Sequence, residues 1–414
     1  MKMKIAFMVL SLISFLEPWN LYAQDTLFTL EGAVSLGLQN NLQVLASLED
    51  INAARGRAIT LLGIEDPVVS AEWSEIPQGS SIGARGERDL TVSQSIDFPS
   101  NYIHKKKLGD LDVQHQQFIS EYTKLVIRTE IEKAWYWVLA KRELLQLTEQ
   151  HIRLAREFMD KAQIRYEAGK AAYLEVSRAQ LALAGVENEQ SVAEGDLVAA
   201  KEALHALLAL PKGKNVVPAD SLTFQAELPS LENLLNESIA SHPNIQTADM
   251  ARLMAGQELN LARGSYLPAI EGSYFTQEIA GNQLHGVGIS LSIPLWFPLN
   301  QRGRVMQQKG RVQAAQYRSQ DEKIRIAANI RSAFARATAA GQQVRKYQQQ
   351  LLARAKDVYD MTLRSYEEGK ADYLMVLDAQ QSLIMINAGY IDALAGYNMK
   401  VADLERASNY IIFQ

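Results

Sequence analysis

The sequence predicts a mainly α-helical chain with a small β part, organised as two similar halves. One segment occurs twice, because the residues from Tyr166 to Gln180 agree at most positions with those from Tyr366 to Gln380. Two further pairs lie in the same order at nearly equal offsets: Ala33–Val44 with Ser238–Gln246, and Val92–Ile96 with Ile289–Ile293. Three ordered matches indicate an internal duplication.

Each half has the same predicted order of elements, namely a helix, two strands, a very long helix and a return helix. The predicted first helices are 29–62 and 231–264, the strands 67–76, 88–98, 267–279 and 285–296, the long helices 101–168 and 301–368, and the return helices 172–209 and 371–408. The predicted domains are a signal peptide (1–24), a first repeat (25–210), a linker (211–229) rich in turn-forming residues, and a second repeat (230–414).

The long helix of the first half carries a heptad seam. Its residues alternate in spacing between four and three from Ile127 to Tyr166, with Lys141 and Thr148 as polar interruptions. This repeat is typical of coiled-coil packing. A helix of this length would extend about 100 Å at ~1.5 Å per residue, so we expect an elongated molecule. The return helices are rich in alanine, which favours close helix packing but also follows from helix propensity alone.

The predicted strands alternate between apolar and polar residues. Leu90, Val92 and Ile96 oppose Thr91 and Ser93, and the second half repeats this pattern from Val287 to Leu295. Such alternation is typical of a membrane β-barrel, although a half-buried soluble sheet has the same pattern. Four strands cannot close a barrel around a pore. Three chains would supply twelve strands, so the sequence predicts a trimer.

The overall composition argues against several classes of function. The chain has 42 Lys and Arg against 47 Asp and Glu, a net charge of −5 that does not favour nucleic acid. It has no cysteine, which excludes disulfides, thiolate metal sites and a lipid anchor on cysteine. The six histidines do not have metal-ligand spacing, and no catalytic constellation is evident. We therefore expect no enzyme activity, no metal site and no cofactor.

The N-terminus predicts export from the cytoplasm. Lys2 and Lys4 precede an apolar stretch from Ile5 to Leu16, and a cleavage site is expected near Ala23 or Gln24. The apolar stretch is too short to span a bilayer as a helix but has the length of a signal peptide. The protein is therefore expected in the outer membrane, extending into the periplasm.

The duplicated plan resembles the TolC-type outer-membrane efflux proteins. The motif Tyr-x-x-Gly-x-x-x-x-Leu-x-Val occurs at Tyr166–Val176 and again at Tyr366–Val376. The segments Ser93–Phe98 and Leu291–Arg302 are similar to the CzcC-like heavy-metal branch. The resemblance implies a TolC-like trimeric α-barrel of long coiled-coil helices joined to a twelve-stranded outer-membrane β-barrel. It also implies a periplasmic adaptor and an inner-membrane pump of the RND type as partners, and heavy-metal cations as cargo.

The resemblance also assigns candidate residues at the two helical tips. Each glycine stands where a long helix must reverse, and the lysine after it suits a helix C-terminus. The expected adaptor-binding residues are Tyr166, Gly169, Lys170, Leu174 and Val176, and in the second tip Tyr366, Gly369, Lys370, Leu374 and Val376. A well-capped hairpin with no partner would have the same residues.

A second candidate site is the inner aperture of the tunnel. Family members place two carboxylates on the second return helix, and the matching positions here are Met375 and Asp378, so only the second acid is kept. The corresponding positions of the first half are Glu175 and Arg178. Threefold symmetry would turn each residue into a ring. An ion pair between Arg178 and Asp378 could hold the tip closed, or the charges could simply be solvated.

Two alternatives to a metal channel remain open at this point. A channel of the same fold could export drugs or proteins instead of cations. A periplasmic coiled-coil scaffold without a pore would share the helical pattern, but it would be extracted without detergent.

Overall fold

The computed structural model describes residues 24–74, 78–79, 87–211, 214–225, 227–279 and 282–412. Apart from Gln24, the predicted signal peptide lies outside this range. The elements of the first half are β1 (Gln24–Phe28), α1 (Leu30–Asn40), α2 (Leu42–Leu61), β2 (Val68–Ser74), β3 (Glu87–Ile96), α3 (Pro99–Glu167) and α4 (Tyr173–Leu208). Those of the second half are β4 (Lys214–Pro218), α5 (Leu231–Ser241), α6 (Pro243–Gly264), β5 (Ala269–Ile279), β6 (Asn282–Ser292), α7 (Asn300–Lys346), a π-helical segment (Tyr347–Leu351), α8 (Leu352–Glu367) and α9 (Tyr373–Ser408).

The first helix of each half is broken in two, so the expectation of single helices over 29–62 and 231–264 was wrong. Asn41 and His242 adopt extended backbone conformations at the two breaks. The side chain of Asn41 accepts a hydrogen bond from the Gln43 amide at 2.9 Å, and that of His242 accepts one from the Asn244 amide at 3.2 Å. Each residue therefore caps a new helix, because its side chain satisfies an amide that has no partner inside the helix.

The second long helix also differs from its expected form. A π-helical segment at Tyr347–Leu351 separates α7 from α8, whereas α3 runs unbroken for 69 residues. A π-turn adds one residue to the helical repeat and so shifts the faces that lie beyond it. Beside this segment, a Cβ atom on Gly389 of α9 would lie 2.5 Å from the Tyr347 hydroxyl. Glycine at this position therefore makes room for the tyrosine.

The described part of the predicted linker, residues 211, 214–225 and 227–229, contacts the helices. β4 lies within 211–229 and pairs in parallel with β1, which the sequence did not indicate. At the end of β4, Arg142 of α3 donates hydrogen bonds to the carbonyl oxygens of Pro218 and Asp220 at 2.7 and 2.5 Å. Asn398 of α9 donates to the Thr223 carbonyl at 3.1 Å. These bonds hold the linker as a strap across the middle of the helical bundle.

The main core lies where α3 packs against α4 and α9. Ile131, Trp135 and Val138 of α3 are fully buried against residues such as Leu204 of α4 and Leu404 of α9. Most positions of the predicted seam are buried or half-buried, while Tyr166 at its end is exposed. The heptad pattern therefore marked the buried side of α3, as coiled-coil packing requires.

One acidic side chain is enclosed within this core. Glu132 is almost fully buried and accepts a hydrogen bond from Arg128 at 2.7 Å. Burial raises the pKa of Glu132 to about 7, and the nearby charge of Glu405 acts in the same direction. The carboxyl group therefore holds a proton at pH values where an exposed glutamate is ionised.

The four predicted strands form one antiparallel sheet in the order β2-β3-β5-β6. The register aligns Val69, Val92, Tyr274 and Val287 on one face across all four strands. This apolar face is uncovered, with Val287 83% and the neighbouring Ile289 82% exposed. The opposite face carries small and polar residues of the same strands, including Ser70, Thr91, Ser273 and Gly288, together with Phe275. An apolar face left uncovered by the chain's own helices calls for an apolar environment from outside.

Candidate functional site at the paired hairpin tips

Both long helices end in the same hydrogen-bonded turn. Gly169 and Gly369 have φ values of +68° and +77°, which is the left-handed region that favours glycine. The Gly169 amide donates to the Tyr166 carbonyl at 2.9 Å, and the Lys170 amide donates to the Arg165 carbonyl at 2.9 Å. The second tip has the corresponding bonds at 2.9 and 2.7 Å. These paired bonds form a Schellman motif, which satisfies the last carbonyls of each helix and reverses the chain.

The two tips differ in which of their matched side chains they expose. Tyr166 and Tyr173 of the first tip are exposed and pack edge to face with a ring separation of 5.5 Å. The matching Tyr366 and Tyr373 are only 1% and 2% exposed. Both enclose Phe158 of α3, at ring separations of 5.4 and 5.3 Å. The second tip therefore packs its aromatic residues inward against the first hairpin.

The remaining tip residues divide into a surface group and a buried group. Leu174 and Leu374 are 58% and 51% exposed, and the lysines beside the glycines are exposed as well. Val176 and Val376 are fully buried, as is Tyr366. These three stabilise the hairpins from inside in this structure, although the sequence placed them among the adaptor-binding residues. The surface available to a partner includes Tyr166, Lys170, Tyr173, Leu174, Lys370, Leu374 and Met375, with the exposed carboxylates Glu167 and Glu368 beside them.

Polar contacts join the tip of the first hairpin to that of the second. The guanidinium of Arg165 lies 4.3 Å from the centre of the Tyr366 ring, and its Nη1 donates to the Tyr366 carbonyl at 2.8 Å. The Tyr366 hydroxyl donates to Glu175 Oε2 at 3.3 Å. Lys161 also pairs with Glu367 at 2.7 Å. We call the contacts of these five residues the tip clamp, because they connect helices about 200 residues apart in sequence.

The ionisation behaviour of the clamp follows from its geometry. Burial raises the pKa of Tyr366 and of Tyr373, so both phenols stay neutral and can donate hydrogen bonds. The hydrogen bond from Lys161 lowers the pKa of Glu367, which keeps that pair charged. Two polar atoms, Arg165 Nε and the Tyr373 hydroxyl, are buried without a hydrogen-bond partner in the described chain.

The predicted aperture residues are not joined to one another within one chain. Glu175 is half-buried and bonded to Tyr366, whereas Arg178, Met375 and Asp378 are exposed. No ion pair links Arg178 to Asp378 among the described residues of a single chain. An ion pair between neighbouring copies stays a prediction. Asp378 and Arg178 remain available to line an opening because their side chains face solvent.

Sequence reasoning missed three residues that hold the tips together. Phe158, Lys161 and Arg165 are separated by three and four residues, so they lie on one face of α3. This stripe runs directly beside the predicted seam, which passes through Met159, Ala162 and Tyr166. A search for a second stripe next to the seam would have found it, although not the surface that it contacts.

Within the described ranges, no group of three or more acidic or histidine side chains is placed to hold a metal ion. Two histidines are buried, His151 and His242, and burial lowers the pKa of each to about 4. Both are therefore neutral at physiological pH. Among those same ranges, no helix is both long and apolar enough to cross a membrane.

Comparisons with known proteins agree with this architecture. The family described as "Outer membrane efflux protein" matches residues 106–210 and 234–409. The cobalt-zinc-cadmium resistance protein CzcC of Cupriavidus metallidurans is 22% identical, over 91% of this chain and 89% of its own. The cation efflux system protein CusC of Escherichia coli O157:H7 is 22% identical, over 87% and 81%. A crystal structure of CusC, described as forming a transmembrane channel, superposes with a TM-score of 0.78 at 17% identity, covering 93% of this chain and 92% of that one.

Proposed function

The chain belongs to the outer membrane efflux protein family, and on that premise we propose that it is the outer-membrane duct of a three-part efflux system. A member of this family is a passive channel and not an enzyme. Three copies would form one continuous conduit, with the hairpins as its periplasmic tunnel. The alternative of a scaffold without a pore is set aside because the family is one of efflux channels.

The exposed apolar face of the sheet is the observation that carries this proposal. Each edge strand, β2 and β6, has one hydrogen-bonded neighbour among the described strands. An open edge in lipid leaves backbone groups without partners, at a cost of several kcal/mol for each. Pairing of β6 with β2 of the next copy would remove that cost. Three copies would then close a twelve-stranded barrel with Val287 and Ile289 facing lipid.

The tips are proposed to receive a periplasmic adaptor. Their exposed residues combine apolar side chains, chiefly Leu174 and Leu374, with the cations Lys170 and Lys370. Lys370 pairs with Glu368 at 2.6 Å, while Lys170 has no ion-pair partner in the described chain. An apolar surface with charged side chains beside it suits a partner helix that has an apolar stripe and charged flanks. An RND-type pump in the inner membrane would supply the energy.

The cargo is proposed to be heavy-metal cations. Support comes from two relatives, whose names describe cobalt-zinc-cadmium resistance and cation efflux. A duct needs no metal-binding site of its own because the pump selects the cargo. The exposed acid Asp378 would form a ring near the tunnel end, and such rings attract cations.

The first experiment combines oligomer mass with single-channel conductance. The protein would be extracted in detergent, the mass of its oligomer would be determined, and the oligomer would be inserted into a planar bilayer. A trimer with steady, small openings supports a duct with a closed tip. A monomer that needs no detergent and conducts no current would refute the barrel. Arg178→Gln and Asp378→Asn would then test the aperture, because a closing ion pair predicts larger conductance in both.

The cargo needs a separate test, in cells. Deletion of the gene should lower tolerance to cobalt, zinc or cadmium, and the intact gene should restore it. Unchanged metal tolerance together with greater sensitivity to dyes or antibiotics would refute the metal assignment. The proposal of a duct would stand, with drugs as the cargo.

A further inference from the structure

A cluster of exposed apolar side chains lies at the base of the sheet in the second half. The turn after α6 and the turn after β6 meet there, and the rings of Tyr266 and Phe297 are 6.1 Å apart. Trp296 is 72% exposed and Leu299 74% exposed. We name this surface the shoulder; its exposed apolar residues are Tyr266, Leu267, Leu295, Trp296, Phe297 and Leu299.

Three arginines flank the shoulder. Arg263 lies in the last turn of α6, while Arg302 and Arg304 lie in the first turns of α7, and all three are exposed. None of them has an ion-pair partner within the described chain, and Arg263 donates a long hydrogen bond to Asn260 Oδ1 at 3.5 Å. Two nearby acids are already paired: Asp97 with Lys105 at 2.6 Å and Glu258 with Arg311 at 3.7 Å. The shoulder therefore combines apolar surface with uncompensated positive charge.

The corresponding turn of the first half has the opposite character. Glu65 and Asp66 precede Pro67 there, at the positions that Tyr266 and Leu267 occupy before Pro268. Both acids are exposed, and neither has an ion-pair partner in the described chain. This turn of the first half therefore has carboxylates where the second half has Tyr266 and Leu267. The apolar cluster is therefore a feature of the second half.

We propose that the shoulder binds anionic phospholipid at the periplasmic face of the outer membrane. Trp296 and Phe297 would lie at the boundary between headgroups and acyl chains, where aromatic side chains concentrate. The arginines would contact the lipid phosphate, which their planar guanidinium groups bind through paired hydrogen bonds. The proposal rests on the proposed function, because the sheet must lie in the membrane to place the shoulder at this level. Each shoulder would thereby fix the depth and tilt of one copy.

Retention of lipid by the whole detergent-extracted oligomer tests the proposal. The protein would be stripped of lipid, titrated with phosphatidylglycerol or phosphatidylcholine, and weighed intact by native mass spectrometry. We expect preferential retention of phosphatidylglycerol. The triple variant Arg263→Gln, Arg302→Gln, Arg304→Gln should weaken this retention by about a hundredfold, because each of the three cations near an anionic surface contributes about fivefold.

The same helix offers a matched control. Arg318→Gln, Arg331→Gln and Arg336→Gln remove equal charge from exposed positions of α7, about 25–50 Å farther along at ~1.5 Å per residue. This triple variant should retain phosphatidylglycerol as the unmodified protein does. If the shoulder variant fails to fold, the unmodified protein still provides a test. Its preference for phosphatidylglycerol should decline as salt concentration rises, because salt screens exposed charges.

Three outcomes would overturn the proposal. The first is equal retention of both lipids by the unmodified protein. The second is an equal loss in the shoulder and control variants, which would mean that total charge alone matters. The third is dissociation of the oligomer by Trp296→Ser with an unchanged lipid preference, which would assign the shoulder to contact with a neighbouring copy. Failure of the proposed function would be seen separately, as an absence of channel conductance whatever the lipid result.

Discussion

Replacement of Arg165 by alanine should release the second hairpin tip from the first. The variant Arg165→Ala removes the guanidinium over the Tyr366 ring at 4.3 Å and its hydrogen bond to the Tyr366 carbonyl at 2.8 Å. It leaves Lys161–Glu367 and the bond from Tyr366 to Glu175 in place. Any effect therefore reports on one part of the tip clamp.

The size of the effect follows from the burial of the ring. Because Tyr366 is almost fully buried, the cation–π contact is worth about 1–2 kcal/mol. A hydrogen bond from a charged donor adds about 1.5–3 kcal/mol. This contribution is smaller here because Arg165 is partly exposed and water also solvates its guanidinium. The two contacts of Arg165 together therefore stabilise the clamped tip by about 2–4 kcal/mol per chain. This corresponds to a factor of about 30 to 1,000 in the equilibrium between clamped and released tips.

The assay is single-channel conductance of the oligomer in a planar bilayer. A released tip should widen the periplasmic end, so that Arg165→Ala shows larger or longer openings than the unmodified protein. Arg165→Lys should give an intermediate result, because lysine keeps the charge but lacks the planar guanidinium that lies over the Tyr366 ring.

The control variant lies on the same helix. Arg156→Ala removes an exposed ion pair with Glu187 at 3.4 Å, which is worth under about 1 kcal/mol. We expect its conductance to equal that of the unmodified protein. Identical conductance in Arg165→Ala and Arg156→Ala would refute the argument that the clamp closes the tip. A rise in both would mean that positive charge on the helix, rather than this contact, sets the conductance.

Three further predictions concern stability. Gly369→Ala should lower the melting temperature, because left-handed backbone costs a residue with a Cβ about 1–2 kcal/mol. The control Gly56→Ala lies at an open position inside a helix and should raise the melting temperature slightly. Equal changes in melting temperature for the two variants would contradict this prediction. Glu132→Gln should flatten the pH dependence of thermal unfolding. The pKa of Glu132 is about 7 in the folded state against an ordinary 4.5, so the free energy of unfolding should fall by about 3 kcal/mol as pH rises from 4.5 through 7. If the melting temperatures of the unmodified protein and of Glu132→Gln changed equally with pH, this prediction would be wrong. Arg142→Ala removes the hydrogen bonds that hold the linker strap and should speed its cleavage over 219–230 in limited proteolysis. An unchanged cleavage rate would mean that Arg142 does not hold the strap in place.

Much of the fold could be predicted because its signals are local and periodic. The two glycines that end the long helices adopt the expected left-handed conformation, since few other residues tolerate it. The boundaries of the strands and return helices lie within a few residues of those predicted, because alternation and heptad spacing each specify one kind of element. The breaks at Asn41 and His242 were not predicted, because a continuous helix was the simpler interpretation of each segment.

Long-range pairing could not be predicted in the same way. The parallel pairing of β1 with β4 joins segments about 190 residues apart, and neither strand has a distinctive pattern. The buried Glu132 looks like any surface glutamate of a long helix. Its burial depends on α9 packing against α3, which local sequence does not encode.

The sequence by itself determined the duplication, the glycine turns that end the long helices and the alternating faces of the sheet, because backbone preference and side-chain periodicity act over a few residues. Only the tertiary structure decided the fate of matched residues in the two halves. Tyr166 and Tyr366 occupy the same place in one motif, yet the first is exposed and the second is buried beneath Arg165. The difference arises because the second hairpin packs against Phe158 of the first, and a duplicated sequence cannot specify which of its copies will be covered.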